Sequence, residues 1–206
     1  MREEPQRIAG RLEATLRVPD GAGRAIVVVA HPLPTHGGTM RNPLIATLAR
    51  AAAERGWYAL RFNFRGVGES AGTWSGGRDE HADLADAAAH ARTVAPRLPL
   101  GVVGFSFGAV TVLRWMEAGG HPDGYVLAGL PLRSAALEEQ ALPPVPDGAF
   151  IVNGELDEFG AAAEVRRAHP RATVVEVKGA DHFFTGKREE LGRIAKDRLE
   201  RAFERR

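Results

Sequence analysis

Apolar positions along the chain fall into short runs that alternate with longer, helically spaced series. Leu12–Val18 (LEATLRV) alternates apolar and polar with a period of two, the pattern of a half-buried strand. Ala25–Ala30 (AIVVVA) is a continuous apolar run and reads as a strand buried on both faces. Asn42–Arg55 has helical spacing, with Gly56 where a helix stop belongs. Tyr58–Phe62 is the next strand. Asp79–Val94 is again helical, and Pro96 and Pro99 end it before the apolar run Leu100–Phe105. A helix is predicted from Phe107 to about Ala118, closed by Gly119–Gly120. Strands follow at Tyr125–Ala128 and Ala149–Asn153, then a helix at Ala161–Ala168, a strand at Thr173–Val177 and a charged terminal helix at Lys187–Arg206. The proline-rich stretch Gly129–Gly148 carries no predicted element.

Strand–helix alternation of this kind predicts an α/β fold, a mostly parallel central sheet with helices on both faces. Pro19-Asp20-Gly21 is a turn signal, so Leu12–Val18 and Ala25–Ala30 are expected to pair antiparallel. No linker interrupts the pattern, and residues 1–206 are read as a single domain. With 44% apolar and 26% charged residues, the chain can bury a sizeable core without disulfide or metal staples. The net charge of +1 gives no electrostatic reason to expect a nucleic-acid partner. Cysteine is absent, which excludes disulfides, thiolate metal sites and a Cys nucleophile together. The start, MREEPQRIAG, lacks the apolar stretch of a signal peptide, and no apolar run approaches the roughly 18 residues of a membrane span. A cytoplasmic protein with no membrane partner is the expectation.

Gly104-Phe105-Ser106-Phe107-Gly108 matches G-x-S-x-G. The motif carries chemistry only where it closes a buried strand and opens a helix, and the predicted elements on either side meet that condition. In such a nucleophile elbow the serine sits on a strained turn that pushes its hydroxyl above the sheet, while bulky side chains at the glycine positions would collide with the neighbouring strand and helix. The helix N-terminus behind Ser106 also favours a developing negative charge.

A serine hydroxyl needs a base to take its proton, and in this architecture the order along the chain is Ser, acid, His. Two downstream histidines compete, His169 and His182. His169 precedes Pro170 near a helix end, a solvated position. His182 lies in a loop after the strand Thr173–Val177, at the strand end where catalytic side chains collect, and Phe183–Phe184 are expected to pack and fix that loop. Three carboxylates follow Ala149–Asn153: Glu155, Asp157 and Glu158. Asp157 is placed to turn toward the imidazole, with the two glutamates facing solvent or capping the next helix. For the oxyanion, Phe107 is one backbone donor. The other comes from His31-Pro32-Leu33-Pro34, where proline has no N–H and Leu33 is the natural donor. His36-Gly37-Gly38 offers an alternative donor, and His31 reads as a loop-packing residue.

Together AHPLPTHGGTMRN, RFNFRGVGESAG, GFSFGA, VNGELDEF and GADHFF resemble, in order and spacing, the small bacterial α/β-hydrolases that lack a lid, a group described as predicted serine hydrolases or esterases. The resemblance covers nearly the whole chain and implies Ser106 as nucleophile, Asp157 as acid and His182 as base. Arg65, in the Arg-Gly-x-Gly-x-Ser loop of the wider superfamily, is expected to bond backbone carbonyls. Phe159-Gly160 stands where the family often has Val shortly after the acid. The short interval between Tyr125–Ala128 and Ala149–Asn153 is too small for a capping domain and agrees with a lidless fold. The expected substrate is a small acyl compound, cleaved through an acyl-enzyme. The competing reading is a small-molecule binding protein with an idle site. No metal-ligand spacing is present, and HPLPTHGG is not a nucleotide-binding fingerprint, so neither a metal nor another cofactor is expected.

Overall fold

A computed structural model describes residues 1–134 and 141–205. Among the described residues, eight strands form one sheet: β1 (Arg2–Ile8), β2 (Leu12–Val18), β3 (Ile26–Ala30), β4 (Tyr58–Phe62), β5 (Leu100–Phe105), β6 (Gly124–Ala128), β7 (Phe150–Gly154) and β8 (Thr173–Val177). Their spatial order is β1-β2-β4-β3-β5-β6-β7-β8. All pairs from β4 through β8 are parallel, whereas β1–β2 and β2–β4 are antiparallel. The helices are α1 (Pro43–Glu54), α2 (Glu80–Val94), α3 (Phe107–Glu117), α4 (Ala162–Ala168) and α5 (Arg188–Phe203). None is long and apolar enough to cross a membrane.

Successive strand side chains point to opposite faces, so a doubly apolar strand serves two cores at once. On β3, Ile26, Val28 and Ala30 join α2, α3 and Val165 of α4 in one core, and Val27 and Val29 join α1 and α5 in the other. Leu100 and Val102 of β5 face the first core and Val103 and Phe105 the second. Helices therefore cover both faces of the parallel part of the sheet.

Two features depart from the sequence reading. Leu12–Val18 does not pair with β3; it pairs with β4, with Ala14 opposite Phe62 and Leu16 opposite Leu60. Residues 19–25 form a connection too long for a two-residue hairpin, and β3 takes a parallel place between β4 and β5 instead. The other neighbour of β2 is the edge strand β1, which no apolar pattern announces. β1 (REEPQRI) is mostly exposed, as suits an edge strand guarded by charge and by Pro5. It is joined to β2 by Ala9, Gly10 and Arg11; Ala9 and Gly10 have φ of 47° and 68°, and the Arg11 N–H closes the turn on the Ile8 carbonyl at 2.9 Å.

Arg65 also does more than bond backbone. Its guanidinium grips the fully buried carboxylate of Asp83 at 2.9 Å, shared with Arg11, and only one further bond goes to a carbonyl, that of Asp79. The clamp ties the loop after β4 to α2. At the start of α1, Pro43 occupies the first helical position and the Asn42 side chain accepts the Leu44 N–H at 2.9 Å, fixing where the loop after β3 turns into the helix.

Candidate active site

β5 ends at Phe105 and α3 begins at Phe107, so Ser106 alone makes the turn. It holds φ 55° and ψ −118°, a region that costs a non-glycine residue ~1–3 kcal/mol. The surroundings hold it there: its N–H donates to the Ala128 carbonyl at 2.9 Å, and its carbonyl accepts from Ala109 and Val110. A Cβ at position 104 would lie 2.3 Å from the Gly108 carbonyl oxygen, and one at position 108 would lie 2.3 Å from that of Ala30. The paired glycines are therefore what lets α3 press against β5 and the end of β3.

The loops after β7 and β8 deliver the other two groups. Gly154 permits their contact, since a Cβ there would lie 2.3 Å from the Ala180 carbonyl oxygen. Leu156 N–H then donates to that same carbonyl at 2.9 Å. His182 comes to lie with Nε2 2.9 Å from Ser106 Oγ and Nδ1 2.9 Å from both oxygens of Asp157. With the Asp157 carboxylate accepting, Nδ1 donates to it and Nε2 is left to accept from the serine hydroxyl. All three residues are buried, Ser106 the most accessible at 8%. Of the competing carboxylates, Glu155 is exposed and accepts the Gly179 N–H, while Glu158 is exposed and offers its backbone carbonyl to Arg133. Neither caps α4; Glu164 accepts the N–H of Ala161 there. His169 is half-buried at the C-terminal end of α4, before β8 begins and so at the end of the strands away from the site.

Three aromatic rings surround the imidazole. Phe159 meets it edge-on at 4.6 Å, Phe105 lies tilted against it at 5.3 Å, and Phe183 stands at 5.4 Å. Phe184 packs as expected, fully buried against Phe105, whereas Phe183 remains 49% exposed and lines the cleft instead of filling the core. The parts played by Phe159 and Phe105 were not read from the sequence. Both sit in motifs that were, but contact across loops has no linear signature.

A cleft of about 230 Å³ opens over Ser106, walled by Leu33, Phe107, Phe159 and Phe183 among others. Phe107 is the first residue of α3, and its N–H is one of those a helix leaves without an internal partner. In the loop after β3, Gly38 N–H donates to the Leu33 carbonyl and Gly37 N–H to that of Pro34, so both are committed within the loop. The Pro32–Leu33 peptide is held from outside. His31 Nε2 accepts the Phe64 N–H at 3.1 Å, which leaves Nδ1–H to donate to the Pro32 carbonyl at 2.7 Å. Fixing that carbonyl fixes the direction of the Leu33 N–H in the same planar unit. His31 is thus more than loop packing.

Burial pushes the His31 pKa from 6.5 down to about 4. An unfolded chain binds this proton near pH 6.5, whereas the folded chain resists it until about 4. The stability tied to neutral His31 is complete above the unfolded pKa and is lost as pH falls through the folded one, on the order of 3 kcal/mol in all. Thermal melts across this window are expected to show a steeper fall in Tm on acidification for the wild type than for His31→Asn. Equal slopes would contradict the assignment.

A mostly parallel sheet flanked on both faces, with the serine turn after β5 and acid and histidine loops after β7 and β8, defines an α/β hydrolase. Residues 21–201 match the family described as serine aminopeptidase, S33, and the chain belongs to that family. An uncharacterised protein of Rickettsia prowazekii (strain Madrid E) is 27% identical over 201 residues, 92% of this chain and 84% of its own. A Xanthomonas campestris protein described as an α/β serine hydrolase without lid superposes with a TM-score of 0.83 at 28% identity, covering 98% of this chain and 96% of that one. An α/β serine hydrolase homologue from Coxiella burnetii gives a TM-score of 0.78 at 29% identity, over 96% and 97% of the two chains. The chain is accordingly a small α/β serine hydrolase of the lidless kind.

Proposed function

We propose that the protein hydrolyses small carboxylic esters through an acyl-enzyme on Ser106, with His182 as general base and acid and Asp157 as its orienting carboxylate. The observation that carries the reading is the continuous chain of 2.9 Å contacts from Ser106 Oγ through both imidazole nitrogens to Asp157. As Oγ bonds the ester carbonyl carbon, its proton passes to His182 Nε2 and the carbonyl electron pair moves onto oxygen. The N–H groups of Phe107 and Leu33 receive that charge, a role supported by the committed bonds of Gly37 and Gly38 in the same loop. Collapse of the adduct expels the alcohol, which takes the proton from Nε2. Water then gives its proton to the same nitrogen, attacks the acyl group, and releases the acid and free Ser106. Throughout, Asp157 holds Nδ1–H and offsets the imidazolium charge.

The test is turnover of p-nitrophenyl acetate and butyrate by the wild type, alongside labelling with a fluorophosphonate. Turnover with a label on Ser106 is the expected result. Neither turnover nor label would leave a protein that binds small molecules over an idle site.

A further inference from the structure

Building on the ester-hydrolase reading, we propose that Phe159 sets acyl-chain length and that the substrates are esters of short aliphatic acids, acetyl to butyryl. The cleft over Ser106 holds about 230 Å³. At ~30 Å³ for each methylene-sized group, close to the share of a water in the liquid, that is room for roughly eight such groups. They must be divided between the acyl chain and part of the alcohol.

Phe159 is the wall set directly against the imidazole. Its ring lies edge-on to His182 at 4.6 Å. Its N–H donates to Asp157 Oδ1 at 2.9 Å, and its carbonyl accepts from Leu132 at 2.8 Å and Arg133 at 3.2 Å. The next residue is pinned as well: buried Asn153 donates from Nδ2 to the Gly160 carbonyl at 2.7 Å. A backbone held on both sides fixes where the Cβ projects, and the edge contact with His182 orients the ring. Phe183 stands at the rim, 49% exposed. Leu33, Phe107 and Phe183 add apolar wall beside the ring, so each methylene accommodated against them raises kcat/KM roughly fourfold. A chain longer than the space must leave its end in water or strain the wall.

All the bonds that anchor Phe159 come from its backbone, so truncating the side chain opens the cleft while leaving an N–H for Asp157. The experiment compares p-nitrophenyl acetate, butyrate, hexanoate and octanoate with the wild type, Phe159→Ala and Phe159→Leu. Wild-type kcat/KM is expected to peak at butyrate or shorter. Phe159→Ala is expected to move the peak to hexanoate or octanoate and raise the octanoate-to-butyrate ratio on the order of tenfold. Phe159→Leu should fall between them, and it carries the comparison if the alanine variant does not fold. A wild type that takes octanoate as well as butyrate overturns the proposal. So does a uniform fall across the series, which would make Phe159 only a support for Asp157 and His182. Failure of the hydrolase reading has a different pattern: no ester of any length is turned over by the wild type, and this proposal falls with it.

Discussion

Ser106→Ala is expected to lower kcat for p-nitrophenyl butyrate on the order of 10⁶-fold, with a circular dichroism spectrum and Tm close to the wild type. On the proposed mechanism the hydroxyl is the group that bonds the acyl carbon, and His182 has nothing to activate once it is gone. Stability should barely change, since the backbone strain at φ 55° stays with alanine as with serine. Ser106→Gly separates the two effects. It is equally inactive, yet relief of the positive φ should stabilise it by ~1 kcal/mol after the larger chain entropy of glycine is offset. Substantial turnover by either folded variant would mean that another group is the nucleophile. A Ser106→Gly variant no more stable than Ser106→Ala would mean that the turn stores little strain.

Asp157→Asn is expected to lower kcat on the order of 10⁴-fold with KM little altered. Phe159 N–H donates to Asp157 Oδ1, so an asparagine there would keep its carbonyl oxygen at that position and turn its amide toward His182. Both carboxylate oxygens lie 2.9 Å from Nδ1, and the amide NH₂ would stand where one of them does. Nδ1 must then accept, the proton moves to Nε2, and Nε2 can no longer take the serine proton. The variant keeps nearly the same shape, so the Tm should stay close to the wild type. A change confined to KM would contradict this account and would make Asp157 a determinant of the cleft's shape.

Those two residues and His182 were legible because each lies in a local pattern: a strand–serine–helix turn, and loops at the ends of apolar strands. The choice among Glu155, Asp157 and Glu158 was less secure in the sequence, since three carboxylates share one loop. Contacts between loops bring Asp157 against His182 and leave Glu155 bonded to Gly179. The neighbours of β2 were misread because the turn signal at Pro19-Asp20-Gly21 says only that the chain reverses, not which strand it will meet. β1 escaped notice because an edge strand can alternate charge with charge and bury little beyond Ile8. His31 was legible only as a histidine near a strand end. Its role follows from a backbone N–H on Phe64, brought beside it by the parallel pairing of β3 and β4. Phe159 likewise gains its place from the bonds that Leu132 and Arg133 make to its carbonyl.

The most direct test of the account is mass spectrometry of the wild type quenched in acid during turnover of p-nitrophenyl butyrate, followed by peptide mapping. The account predicts a protein heavier by one butyryl group, with the modification on Ser106, and none on the Ser106→Ala variant treated in the same way. A butyryl group on a different residue, or undiminished turnover by the folded Ser106→Ala variant, would contradict it.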